Sequence, residues 1–203
     1  MKSHPFRPLT VSFALLGLSA CAIAPTPQER EAAFLALPLS HFQNNMYIKD
    51  DPLDPNITIH TRLGYRDYVF DFGAKEDQFL RALVFREDGK VALQAYVTSD
   101  TSGSWLHPVS VSFPHTLSTR RVDRLHFDVN CATYGCRHYE ETVFEFTPEE
   151  LDDVIQAMDA RKELVFAFRI KGQSGIDRDG RFHINELEAF REAIASYVPA
   201  GKP

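Results

Sequence analysis

The sequence predicts an α+β domain: a mostly antiparallel β-sheet, curled or sandwich-like, with two or three packed helices. Three observations predict it. Apolar and polar residues alternate along several short runs in the middle of the chain, the pattern of strands with one wet face. Two Thr-Pro-x-Glu segments, beginning at Thr26 and Thr147, supply the capping residues of a helix start. The 203 residues include 16 phenylalanines, mostly at alternating positions, which indicates a well-filled, β-rich interior.

The elements follow in order. Thr26 caps a short helix, with Pro27 in the first turn and Glu29 reaching back, and Pro38 ends it after about Leu37. Residues 39–56 are expected to be irregular, with Asp-Pro steps at 51–52 and 54–55. A weakly alternating strand covers 57–62. Runs from Phe79 to Arg86 and from Val91 to Val97 flank Asp88-Gly89, a dipeptide suited to a type I′ hairpin turn. Val109, Val111 and Phe113 alternate with Ser110 and Ser112. Val122 to Cys131 and Cys136 to Phe146 form a hairpin around a tight Tyr134-Gly135 turn. Thr147 caps a helix to about Ala160, whose Leu151, Val154, Ile155 and Met158 make one apolar stripe. A strand from Glu163 to Lys171 places Leu164, Phe166, Phe168 and Ile170 on one face. A last helix, from about Glu186 to Val198, turns Leu187, Phe190, Ile194 and Tyr197 inward.

The first twenty residues have a different logic. Lys2 and Arg7 sit in a stretch without acids, and the apolar run from Leu9 to Leu18 follows. That run is shorter than the roughly 20 residues that a membrane-spanning helix needs. It fits the apolar core of a secretory signal peptide. The next residues, Leu18-Ser19-Ala20-Cys21, resemble the lipobox of bacterial lipoproteins. The resemblance covers residues 1–21. It implies cleavage before Cys21, acylation of the Cys21 thiol (palmitate being a common chain) and acylation of the new amino group.

The organisation expected is then a signal peptide at 1–20, a lipidated tether at 21–27 and one globular domain at 28–203. Ala22, where an aspartate marks inner-membrane retention in the enterobacterial sorting pattern, points to the outer membrane, with the domain in the periplasm. Several acyl chains hold a protein firmly where one binds only marginally. Ala22 to Thr26 spans at most about 17 Å, so the domain works close to its bilayer.

Removing Lys2 and Arg7 with the leader takes the formal charge from −6 to −8. An acidic domain is poorly matched to nucleic acid, and none is expected as a partner. With Cys21 lipidated, Cys131 and Cys136 remain, and an oxidising envelope favours a disulfide between them. Parity argues against a zinc site using the flanking His126 and His138, which would need a bulge to form. If Cys131 lies opposite Cys136, then Leu125, Phe127, Val129 and Cys131 share a face with His138, and His126 projects to the other. A redox role fails on spacing, because the oxidoreductase motif is Cys-x-x-Cys.

The most specific chemical signal is Asp177-Arg178-Asp179-Gly180, followed by Glu186. It resembles the second part of an EF-hand loop, with Asp177, Asp179 and Glu186 as calcium ligands. The loop's first position falls on Gly175, which has no side chain, and a strand rather than a helix precedes it. The bland alternative is an Asp179-Gly180 turn and an Asn185-capped helix. Lys171-Gly172-Gln173-Ser174-Gly175 matches neither a phosphate cradle nor a nucleophile turn, and is expected to be a flexible loop. Asp50, Asp51, Asp54 and Asn56 form an acidic loop that turn formation explains as well as cation binding. Glu140 and Glu141 are neighbours on a strand and cannot act as a dyad. Trp105 and Leu106 are candidates for a partner contact if exposed, and for a core anchor if not.

The function expected is therefore that of an envelope lipoprotein with a non-enzymatic domain that binds an envelope protein or component. A calcium-binding module, with Ca²⁺ its one candidate cofactor, and a small hydrolase are the alternatives. A cluster of exposed apolar residues around Trp105 would favour the first.

Overall fold

The computed structural model describes residues 26–65, 78–114, 117–133 and 135–198. Cys21 and the expected signal peptide lie outside the described residues. Among the described residues, no helix is long and apolar enough to cross a membrane.

Both capping boxes form. Thr26 accepts from the Glu29 N–H at 3.2 Å and starts α1 (Pro27–Leu35); Thr147 does the same for Glu150 at the head of α3 (Pro148–Arg161). The strands make an α+β fold with two antiparallel sheets. The larger runs β1 (Tyr47–Lys49), β2 (Asn56–His60), β3 (Gln78–Phe85), β4 (Val91–Ser102), β8 (Gly135–Phe146) and β7 (Asp123–Ala132), in that spatial order. The smaller runs β10 (Asp177–His183), β9 (Val165–Gly172), β5 (Pro108–Ser112) and β6 (Arg120–Arg121).

Alternation does the sorting. Ile57, Ile59, Leu80, Ala82, Leu93, Ala95, Val97 and Phe144 bury one face of the large sheet, while Phe166, Phe168, Ile170 and Phe182 bury one face of the small sheet. The two faces meet through Phe144 and Phe168, whose rings lie edge to face at 5.3 Å. The stripe of α3 and that of α4 (Ile184–Ala195) are buried as expected. α3 touches β4 and β9, and α4 touches β2, β3 and β10, so the helices bridge the two sheets.

Several expectations are corrected. Residues 39–56 are not irregular: α2 (Leu39–Asn44) and β1 lie there, because Phe42 is buried and Tyr47–Lys49 pairs with β2. The described residues thus hold four helices rather than two or three. The Asp88-Gly89 turn is not type I′, since of the two only Gly89 takes a positive φ, at 73°. Leu164 precedes its strand and stays exposed. The last helix begins at Ile184, with His183 rather than Asn185 as its cap.

The largest correction concerns the expected calcium loop. Residues 177–183 are a strand, with Gly180 in the ladder opposite Phe168. A Cβ on Gly180 would overlap the Phe168 ring, so this glycine serves a close approach rather than a turn. Gly180→Ala is expected to cost about 1–3 kcal/mol by overpacking, read from the midpoint of urea unfolding.

Candidate functional site

The three residues proposed for calcium do not converge. Asp177 and Asp179 sit on the outer face of the small sheet, opposite Lys171 and Arg169. Each is ion-paired across the strands, Asp177 with Lys171 at 2.6 Å and Asp179 with Arg169. Hydrogen bonds from these cations hold both carboxyls below the usual carboxylate range. Glu186 is fully buried behind the sheets and accepts from the Thr61 hydroxyl at 2.6 Å. At roughly 3.3 Å per residue, the strand from Asp179 to His183 already spans about 13 Å. Among the described residues, no three His, Cys, Asp or Glu side chains gather to hold a metal ion.

The acidic loop is likewise internally matched. Asp54 pairs with Lys49 at 2.7 Å, Asp50 with Arg86, and Asp51 accepts from the Leu53 N–H at 2.9 Å. A cleft of about 560 Å³ opens between α1, α2 and β10, lined in part by Phe34, Leu37, His41, Tyr65 and Arg181. Arg181 is held there by Glu31 at 2.7 Å and lies 4.2 Å over the Tyr65 ring. The ring nitrogens of His41, His107 and His183 bond to backbone groups and to Arg124.

The segment 103–107 is the unexpected feature. It leaves β4 as a strap fastened at every step. Gly103 donates to the Cys136 carbonyl at 3.3 Å, and the Thr101 hydroxyl donates to Ser104 at 2.6 Å. Ser174 and Gln173 then donate to the carbonyls of Leu106 and His107 at 3.2 and 3.0 Å. The Lys171–Gly175 segment, expected to be flexible, is thus one wall of the strap. The other wall is Glu140. Its buried carboxylate accepts from the Leu106 N–H at 2.5 Å, the His107 N–H at 3.1 Å and Arg124 at 3.2 Å. Leu106 is fully buried and is therefore a core anchor, not a partner contact.

Driving Leu106 inward sends Trp105 outward. Its indole lies 4.5 Å from the His138 ring and 5.7 Å from Phe127, and it stays half-buried. Phe127 belongs to β7, one of the two edge strands of the large sheet, and every residue of β7 is exposed. Leu125, Phe127 and Val129 are 51%, 58% and 45% exposed, far above what an edge strand packed on a core would show. Arg124 caps the Phe127 ring at 4.5 Å. The surface is thus an aromatic and aliphatic stripe beside Trp105, fixed from behind by one buried carboxylate.

The hairpin behind the stripe has the expected cross-link. Cys131 and Cys136 are directly opposed and disulfide-bonded, with Cα atoms 4.0 Å apart. Ala132 pairs with Gly135, so the reversal comes one residue earlier than a Tyr134-Gly135 turn. Phe127 and Val129 share a face with His138, and His126 lies on the other, as parity requires. Leu125 departs from that expectation, because a bulge between Arg124 and His126 inserts it as the extra residue.

Comparison of the chain with protein-family models, with curated proteins and with solved structures gave no match.

Proposed function

We propose that this chain is a lipid-anchored envelope protein whose domain is a non-enzymatic binding module, with β7 and Trp105 as its docking surface. The partner is a polypeptide that lays an extended segment along the free edge of β7. The observation that carries the reading is the exposed pair Phe127 and Val129 beside Trp105, with exposed Leu125 at the adjoining bulge. Edge strands with open backbone groups are templates for strand addition, in which main-chain hydrogen bonds give affinity and alternate side chains give selectivity. Aromatic residues set among satisfied polar groups are the usual anchors of such interfaces. The anchor supports the reading on the sequence side, since a short tether at Cys21 keeps this surface near others in the same envelope.

The test uses the full chain in a bacterial envelope. Labelled palmitate is expected to enter the wild type and not Cys21→Ser. A photoreactive phenylalanine analogue at position 127 is expected to give a discrete cross-linked adduct, and the same analogue at exposed Asp153 none. Absence of any adduct from position 127 would sink the docking surface. Label retained in Cys21→Ser would sink the anchor.

A further inference from the structure

We propose that the extended segment that docks on β7 is β7 of a second copy of this chain, paired antiparallel about Phe127. The inference rests on the docking-surface reading above and names its occupant.

The backbone decides which residues are available. Antiparallel partners alternate between a close pair without mutual hydrogen bonds and a wider pair that exchanges two. Cys131 and Cys136 are a close pair, with Cα atoms 4.0 Å apart, and the Cys136 carbonyl turns away from β7 to accept from Gly103. The N–H and C=O of Cys131 therefore face away from β8, and so do those of Val129 and Phe127 at two-residue intervals. The Val129 N–H confirms the direction, because it is taken by its neighbour's carboxylate, Asp128 Oδ1, at 2.8 Å. The bulge at Leu125 ends the regular stretch at one end, and the disulfide-bonded turn ends it at the other. What faces outward is a short edge centred on Val129 and Phe127, and pairing at Val129 requires Asp128 Oδ1 to release its N–H.

Charge then selects the partner and the register. A two-fold pairing must set outward-facing residues against one another, which leaves three choices. With Phe127 opposite Val129 of the second copy, Asp128 meets Asp128, and like charges directly opposed are destabilising. With Val129 on the axis, Asp128 meets Asn130, and Phe127 meets the half-cystine Cys131. With Phe127 on the axis, His126 meets Asp128 of the second copy and Asp128 meets its His126, a donor against an acceptor twice over. On the opposite face, Phe127 meets Phe127, with each Trp105 5.7 Å behind its own Phe127. The two Phe127 residues exchange both backbone hydrogen bonds, and the bulge at Leu125 ends the pairing beyond them. This register sets donor against acceptor on one face and ring against ring on the other, whereas the Val129 register, which also pairs a donor (Asn130) with Asp128, leaves Phe127 facing only a half-cystine. Such an isologous contact closes at two copies.

Position 127 carrying the photoreactive analogue, in the full chain in its membrane, provides the test. The expected adduct has twice the mass of the chain. Val129→Pro removes an N–H that points to the edge, where Asp128 Oδ1 accepts it until a second strand displaces that carboxylate, and should lower that adduct at least tenfold. His126→Glu should lower it as far by facing Asp128 with a second acid, and because residue 126 also lies opposite Glu141 of its own hairpin, the disulfide check on folding applies to it first. Adding Asp128→Lys to His126→Glu reverses both partners and should restore the adduct to within threefold of the wild type. Intact Cys131–Cys136 disulfide in each variant checks that the hairpin folded. An adduct only with a different protein would overturn self-pairing and leave the docking surface standing. No adduct at all would overturn both. A dimer adduct indifferent to His126→Glu, or not restored by the double change, would overturn the register proposed.

Discussion

Glu140→Ala is expected to lower the unfolding free energy by about 3–5 kcal/mol, the range for removing one partner of a buried charged pair. The carboxylate is wholly buried and serves three donors: two successive backbone N–H groups of the strap and the Arg124 guanidinium. Alanine leaves the Leu106 N–H buried with nothing to bond. Arg124 suffers less, because its side chain is one-third exposed and water can reach it. Glu140→Gln retains one acceptor oxygen but loses the charge, and should cost about 1.5–3 kcal/mol. Trp105 is the only tryptophan in the chain, so its emission reports the strap directly. In Glu140→Ala, its emission should shift to the red in denaturant concentrations where far-ultraviolet dichroism is still native. A loss under about 1 kcal/mol, with coincident transitions, would show that the strap holds without this carboxylate.

The weight on Glu140 shows what a sequence can and cannot yield. Features set by neighbours along the chain were legible. Both Thr-Pro-x-Glu boxes cap helices, and the Leu151, Val154, Ile155 and Met158 stripe is buried, because each depends on residues within four or five positions. Features set by distant partners were not. α2 forms around Phe42, which His183 and α4 receive. Asp177-Arg178-Asp179-Gly180 has the composition of a loop, yet β9 offers Lys171 and Arg169 at matching positions and draws it into a strand. The polar end of β4, from Thr98 to Ser102, extends beyond the expected Val97 because β8 pairs with it residue by residue.

The site itself was half legible. Trp105 was singled out, but not which way Leu106 would point. A signal for Glu140 did exist. Counting back by twos from buried Phe144 passes through Thr142 to Glu140, so one of the adjacent acids had to face inward. That it would fasten residues 106 and 107 depends on a contact across 34 positions, which no local pattern carries.

Stability should also fall as the pH drops below about 6.5, through His183. This residue is 1% exposed, its ring stacked 5.6 Å from Phe42 and set edge-on to Phe34 at 5.4 Å. Nδ1 accepts the Asn185 N–H at 3.0 Å and caps α4, which assigns the proton to Nε2, facing the Leu35 carbonyl at 3.4 Å. Burial lowers the pKa from 6.5, against a smaller raising effect of the Leu35 carbonyl. The sign follows from the unfolded chain binding the proton more readily than the folded one. The contribution of neutral His183 is fully present above pH 6.5. It is lost as the pH falls towards the lowered folded value, by at most about 1.4 kcal/mol per pH unit. Protonation adds charge to a buried ring and removes the acceptor that caps α4, so the loss should begin where α1 and α2 pack on that helix.

The ion-paired acids Asp177, Asp179 and Glu150 have lowered pKa values, so their losses begin only below about pH 4.5 and leave the window above to His183. Glu188, raised by burial, acts in the opposite sense and would flatten the slope rather than create it. His183→Asn retains a capping acceptor without a titrating ring. It should be less stable than the wild type at pH 7.5, where the stacking is lost, yet lose less on acidification, so that the two curves converge between pH 6.5 and 5. Parallel curves from urea unfolding across that range would mean that the buried ring titrates as freely as in the unfolded chain.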